Sequence, residues 1–153
     1  MESVNLSAAP QHLERLAGWH HRQWGCLHPG AGIERVRAEL QRHLGEAVIP
    51  STFVARDGDV LGSAAIVERD MRTRPDDGPW LASVYVAPEA RGRGVGTRLV
   101  RHVMQVARDT NVPELFLFTP DRAGFYARLG WRVVSHETYQ GSEVTVMHIA
   151  LDG

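Results

Sequence analysis

Apolar positions along the chain follow two rhythms, one helical and one of strands, and short runs rich in Gly, Pro and Asp separate them. Ser3 to Ser7 reads as a short strand. Leu13, Leu16, Ala17, His20 and Trp24 share one face of a helix that starts near Pro10 and ends at Gly25. Pro10 suits a first turn, where its missing N–H would be unpaired anyway. Cys26 to Gly32 reads as a loop, and Ile33, Val36, Leu40 and Leu44 define a second amphipathic helix with Gly45 past its end. Ser51 to Arg56 and Val60 to Asp70 read as strands joined by Asp57-Gly58-Asp59, a hairpin signal. Alternation along the second strand sets Val60, Ala64, Ile66, Glu68 and Asp70 on one face. Arg72 to Pro79 is a loop, and Trp80 to Ala87 is an apolar strand stopped by Pro88. A helix from about Val95 to Asn111 follows, with Val95, Leu99, Val103 and Val106 inward. Glu114 to Phe118 is a buried strand and Asp121 to Leu129 a short helix capped by Gly130. Trp131 to Val134 and Val144 to Leu151 are two further strands. This order implies a mixed α/β sheet flanked by helices.

Composition narrows the function. The 153 residues, 43% hydrophobic and 23% charged, suit a single globular domain over 1–153. All 17 basic residues are arginine, and against 18 acidic ones they leave a formal charge of -1, so no basic field invites nucleic acid. Cys26 is the one cysteine, which excludes a disulfide framework and a multi-thiolate metal site, and no zinc-type His spacing is present. The apolar runs fall short of the ~20 residues that span a bilayer. Met1 to Pro10 has no basic start followed by an apolar run. A cytoplasmic protein, monomer or homodimer, with no membrane partner and no metal is expected.

The most informative stretch runs from Val84 to Thr97: an apolar strand, a turn with Gly92, Gly94 and Gly96 at alternate positions, then an amphipathic helix. Such glycines let the chain turn sharply and let a ligand approach. The helix N-terminus beyond them offers unpaired N–H groups to a phosphate, and Arg91 and Arg93 can add charge-assisted bonds. A Walker loop requires lysine, and this chain has none. A dinucleotide fingerprint wants glycine at the sixth position counted from Gly92, where Thr97 stands.

Arg91-x-x-Gly94-x-Gly96 after a strand ending in Val-x-Pro resembles the pyrophosphate loop of the GNAT superfamily of N-acetyltransferases. Phe125-Tyr126-Ala127-Arg128-Leu129-Gly130-Trp131 is similar to the family's Tyr-x-x-x-Gly-Phe segment, with Trp for Phe. One helix and one strand separate the two motifs, as in the family. The resemblance implies a mostly antiparallel sheet of about seven strands with about four helices. It also implies acetyl-CoA as co-substrate, with its pyrophosphate at Arg91, Gly92, Arg93, Gly94, Val95, Gly96 and Thr97. Its arm would lie along the backbone of Val84, Tyr85 and Val86, where an N–H could polarise the thioester carbonyl. Tyr126 matches the family position whose hydroxyl sits near the sulfur, which makes it the candidate acid for the departing thiolate, the alternative being a Tyr packed beside Phe125 and Trp131. Thr119 and Arg122 stand where the family often has Asn and Ala, leaving the Thr119 hydroxyl or backbone as the contact to the arm.

The resemblance implies that the first two helices and the Asp70 to Trp80 loop form the acceptor side. Glu68 and Asp70, past the apolar run of their strand, could attract a cation or accept its proton, or simply pair with Arg69 and Arg72 at a solvated strand end. Asp76 and Asp77 could extend an acidic mouth, and Trp19, Trp24 and Trp80 offer aromatic surface. Glu68 is the candidate base beside Tyr126 as acid; Trp24, Asp70 and Trp80 are the candidate acceptor contacts. His20 reads as a satisfied core histidine, His148 could reach the site or pack, and Cys26 has no partner to activate it. Direct transfer of an acetyl group to a cationic small-molecule amine or a peptide N-terminus is the leading expectation. A non-catalytic acyl-CoA-binding sensor or interaction module is the alternative.

Overall fold

A computed structural model describes residues 1–25, 30 and 32–151. The early elements are β1 (Glu2–Asn5), α1 (Leu13–Trp24), α2 (Ile33–Arg42), β2 (Ser51–Asp57), β3 (Asp59–Val67) and β4 (Trp80–Val86). They are followed by α3 (Val95–Asp109), β5 (Glu114–Thr119), α4 (Ala123–Arg128), β6 (Arg132–Tyr139) and β7 (Ser142–Ala150). The seven strands form one sheet in the order β1-β2-β3-β4-β5-β7-β6. Every neighbouring pair is antiparallel except the parallel β4–β5 pair. Among the described residues no helix is long and apolar enough to cross a membrane.

Adjacent residues of a strand point to opposite faces, and β2 shows which helices cover which. The Phe53 ring meets His102 of α3 at 4.9 Å. Its neighbour Thr52 meets His43, just past α2, through a 2.7 Å hydrogen bond between Oγ1 and Nδ1. On β3, Gly62 lies against Val95 and Leu99 of α3, whereas Ser63 Oγ is 3.0 Å from His20 Nε2 of α1. The sheet is thus sandwiched between α3 and the α1–α2 pair. This explains why Val60 to Ile66 are all buried, where alternation predicts one dry face and one wet.

The largest departures from the sequence reading lie at strand ends. Strand β3 stops at Val67, three residues before the predicted Asp70. The first helical turn from Pro10 to His12 is 3-10, and the α-helix proper begins at Leu13. The last two strands are longer than predicted and form a hairpin through Gln140 and Gly141, both with positive φ (51° and 81°). That pair of left-handed residues matches the twist of a tight hairpin. The predicted loop from Cys26 to Gly32 lies mostly outside the described residues, as does any role for Cys26.

Candidate active site

The parallel pair at the centre of the sheet is open along most of its length. Among the described residues, β4 and β5 are in register only at Trp80 opposite Phe116. There the Phe116 N–H donates to Pro79 O at 2.9 Å. Towards its C-terminal end β4 also loses register with β3. Ser63 faces Tyr85 while Ala65 faces Ala82, so two residue steps on β3 oppose three on β4. The extra residue is a bulge at Ser83–Val84, with Ser83 at φ 53°. A bulge leaves backbone groups outside the ladder and turns the strand. The Val84–Val86 backbone therefore borders a gap between two half-sheets.

The glycine turn stands at the mouth of that gap. Gly92 and Gly94 have φ of 78° and 79°, and a Cβ on either would project into open space. Gly94 is the N-cap of α3, with no side-chain cap and no acidic residue in the first turn. Several first-turn N–H groups are therefore unanswered by the protein, at the positive end of a 15-residue helix. Arg91 and Arg93 are exposed, and no carboxylate pairs with either among the described residues. Arg91 Nε donates to Val86 O at 3.3 Å, which ties the turn to the strand and occupies that carbonyl. Val95 is buried, so only its backbone faces the turn. A Cβ on Gly96 would sit 3.6 Å from both Phe125 and Val86, in ordinary contact with α4 and β4.

Tyr126 enters from the far side. It is buried on α4, edge-on to Phe125 (5.0 Å) and Trp131 (6.2 Å). Helix α4 is launched by Thr119, whose Oγ1 accepts the Arg122 N–H at 3.0 Å. The Thr119 hydroxyl is thus first a local cap, with its proton left for another partner. Burial pushes the Tyr126 phenol up to about 12, against a smaller opposing pull from Arg122, and no hydrogen bond holds its hydroxyl among the described residues.

On the opposite face Trp24 is half-buried at the end of α1, edge-on to Tyr85 at 6.2 Å and to His20 at 5.1 Å. Trp19 completes this aromatic wall beside the bulge, 5.1 Å from Tyr85. Two predicted residues are placed differently. Trp80 is a core residue, 0% exposed, packed on Phe116 and Phe118 with its Nε1–H donating to Asp77 O at 2.8 Å. It offers an acceptor no surface. Glu68 is exposed beyond the end of β3 and does not share Asp70's environment, because the strand that was to align them ends at Val67. Asp70 is half-buried, and desolvation pushes its carboxyl up to about 7 with a minor contribution from Glu39. His148 pairs with Glu114 at 2.7 Å and packs on Phe116. Among the described residues no group of three or more His, Cys, Asp or Glu could hold a metal.

Sequence reasoning did not find the bulge or the fastening of the β3–β4 connection to β6. Arg74 donates through Nε to Asp77 Oδ2 at 2.7 Å and through Nη1 to Glu137 Oε2 at 2.5 Å. The Arg72 N–H donates to Tyr139 Oη at 3.1 Å, and Met71 is buried against Trp80 and Phe116 in the same cluster. No local signal marks contacts between partners more than sixty residues apart.

A model of the Acetyltransferase (GNAT) family matches residues 13–131. The chain belongs to this family. An amino-acid acetyltransferase of Neisseria meningitidis is 28% identical to this GNAT chain over 108 residues, which take in 71% of the chain and 23% of that protein. Glucosamine 6-phosphate N-acetyltransferase 1 of Oryza sativa subsp. japonica is 36% identical over 69 residues, 44% of this chain and 42% of that one. The chain thus spans about a quarter of the first relative and under half of the second, as matched. An aminoglycoside 6'-N-acetyltransferase complexed with coenzyme A superposes with a TM-score of 0.78 over 100% of this chain and 98% of that one, at 15% identity. Ribosomal-protein-alanine N-acetyltransferase from Brucella melitensis does so at 0.75 over 99% and 100%, at 19% identity. At these identities the likeness is one of fold, the GNAT fold.

Proposed function

We propose that the protein moves an acetyl group from acetyl-CoA to a primary amine by direct attack in a ternary complex, the acceptor being a cationic small molecule or a peptide N-terminus. The observation that carries this reading is the gap between β4 and β5, with an uncapped helix N-terminus at its mouth. The donor set fits a pyrophosphate: bare first-turn N–H groups, two exposed guanidiniums, and glycines whose missing side chains leave room above the turn. When bound, acetyl-CoA supplies an acyl group activated as a thioester with a thiol as leaving group.

The chain's own residues do the rest. Arg91, Arg93 and the backbone from Gly92 to Thr97 grip the remote phosphates, which orients the acyl end without touching it. The backbone of Val84, Tyr85 and Val86, on the edge of β4 that borders the gap towards β5, offers amide groups to the arm and to developing negative charge on an acyl oxygen. Thr119 borders the other side of the gap. Tyr126 keeps its proton at Oη throughout the neutral range and is the donor for the departing sulfur. Trp24 and Tyr85 form the apolar wall on the acceptor side.

Incubating the protein with acetyl-CoA and spermidine, kanamycin or trialanine, and following CoA release, tests the reading. A strong response to one amine class identifies the acceptor. Tight acetyl-CoA binding with no amine-dependent release would instead make the protein an acyl-CoA sensor.

A further inference from the structure

We propose that the groove between β1 and α3 binds a phosphate dianion, free or as the head of a small phosphate ester, through Arg98, Arg101, His102 and Ser3. This site is separate from the one assigned to acetyl-CoA and does not depend on that reading.

The local structure turns the four side chains towards one another. Register sets Ser3 opposite Ala55 and Asn5 opposite Phe53, so Ser3 shares the face on which Phe53 meets His102 of α3. Arg98, Arg101 and His102 stand three and four residues apart, which places them on one side of the helix. The groove that they line with Glu2 and Ser3 has a volume of about 430 Å³. Gly96, which meets Phe125 of α4, precedes Arg98 by two residues and lies roughly half a turn away around the helix. The groove is therefore on the side of α3 turned away from α4 and Tyr126.

The chemistry of the groove is that of an anion site with its anion unanswered by the protein. Arg37, Arg42, Arg56 and Arg74 each hold a carboxylate, whereas none pairs with Arg98 or Arg101 among the described residues. Glu2, the acid at the rim, alternates to the opposite face of β1, where Arg56 Nε donates to its Oε1 at 2.7 Å. The Ser3 hydroxyl oxygen is buried and has no hydrogen-bond partner, a cost that a ligand atom would remove. His102 is half-buried, and its pKa is lowered by desolvation and then by Arg98, so the guanidinium acts on the ring. Two guanidiniums, an imidazole N–H and a hydroxyl are all able to donate, and they come from two elements in different directions. A tetrahedral phosphate offers separate oxygens to each, whereas a planar carboxylate answers donors in one plane. The groove has room beyond a phosphate ion for the body of a small ester.

The test follows the His102 ring by proton NMR in the full chain, assigned with His102→Gln, in chloride buffer of fixed ionic strength. Arg98 and Arg101 of α3, Phe53 of β2, and Ser3 and Glu2 of β1 face this ring or its groove, with Glu2 held by Arg56. Inorganic phosphate or ribose 5-phosphate should raise the His102 midpoint by about half a pH unit or more, because a nearby anion favours the imidazolium. A response to both identifies an ester site, and a response to inorganic phosphate alone identifies a site for the free ion. The double variant Arg98→Gln, Arg101→Gln should bind at least about tenfold more weakly. Replacing Arg91 and Arg93 by Ala should leave the His102 response unchanged, which separates this groove from the glycine turn. No shift with either phosphate, an equal shift with acetate, or a shift undiminished in the Arg98, Arg101 variant overturns the proposal. So does a shift that disappears with Arg91 and Arg93. Failure of the acetyltransferase reading would leave all of these results as they are.

Discussion

Replacing Asp70 by Asn should make the protein more stable above neutral pH, and the pH dependence of that gain is specific. Two buried groups titrate in opposite senses. His20, 7% exposed and hydrogen-bonded to Ser63, is held neutral by burial, its pKa lowered from 6.5 to about 4. The unfolded chain binds that proton more readily, so His20 costs stability as pH falls from 6.5 towards 4, by about 3 kcal/mol at ~1.36 kcal/mol per pH unit. Asp70 is raised from 3.8 to about 7, so the folded state is the tighter proton binder. Its contribution is fully present below 3.8 and is lost as pH rises through about 7. The full span corresponds to about 4 kcal/mol, reduced to about 2 kcal/mol for a carboxylate still partly in water. Between pH 4 and 6.5 the two slopes oppose each other and the wild-type curve is flattened. Asp70→Asn removes one of them. Urea unfolding from pH 4 to pH 8 should place the variant about 2 kcal/mol above wild type at pH 8, with the difference closing towards pH 4. Taking the difference cancels the other titrating groups. A variant no more stable than wild type at pH 8 would refute the argument.

Three further variants probe the site. Tyr126→Phe removes a hydroxyl with no hydrogen-bond partner among the described residues, so stability should change by less than about 0.5 kcal/mol. Its kcat should fall about 10- to 100-fold, the worth of a hydrogen bond to a charged atom, and turnover kept within twofold would remove the assignment. Gly62→Ala puts a Cβ 2.5 Å from Tyr85 O and 3.2 Å from Leu99 and Val95, so β3 and β4 must part beside the bulge. A loss of about 1–3 kcal/mol, seen as a Tm lowered by about 3–10 °C in calorimetry, is expected; an unchanged Tm would show that the strands yield freely. Replacing Arg91 and Arg93 together by Ala should raise KM for acetyl-CoA about 100-fold at low salt and leave the acceptor KM alone. The gap between variant and wild type should narrow as salt is added, and a salt-independent KM would argue against the charge contacts.

What the sequence made legible is what local physics encodes. The 3.6-residue rhythm of α3, the Asp57-Gly58-Asp59 hairpin and the glycine turn all stand where the pattern puts them. Tyr126 stands on the short helix read from Asp121 to Leu129. The misread parts depend on distant partners or on backbone form. Alternation cannot show a bulge in β4, because β3 and β4 are largely buried and their side chains report little about register. Trp80 looked like an open aromatic face because its cover comes from Phe116 and Phe118, far along the chain. The predicted strand from Trp131 stops at Val134 because the polar edge strand beyond it has little apolar signal, and the turn at Gln140–Gly141 is hidden with it. Glu68 and Asp70 were aligned by extending β3 past Val67, where no strand remains to align them.

The unpaired length between β4 and β5 also bears on how long the molecule lasts in a cell. A chain whose two half-sheets share one rung opens there more easily than elsewhere, exposing backbone to proteases. On the proposed reading the co-substrate lends the missing rungs. A ligand present at a hundred times its Kd adds about 2.7 kcal/mol to the folded state. The lifetime of the folded protein would then follow acetyl-CoA supply: it would persist when acetyl groups are plentiful and be cleared when they are scarce. Abundance would be regulated by a break in a sheet, without a dedicated sensor.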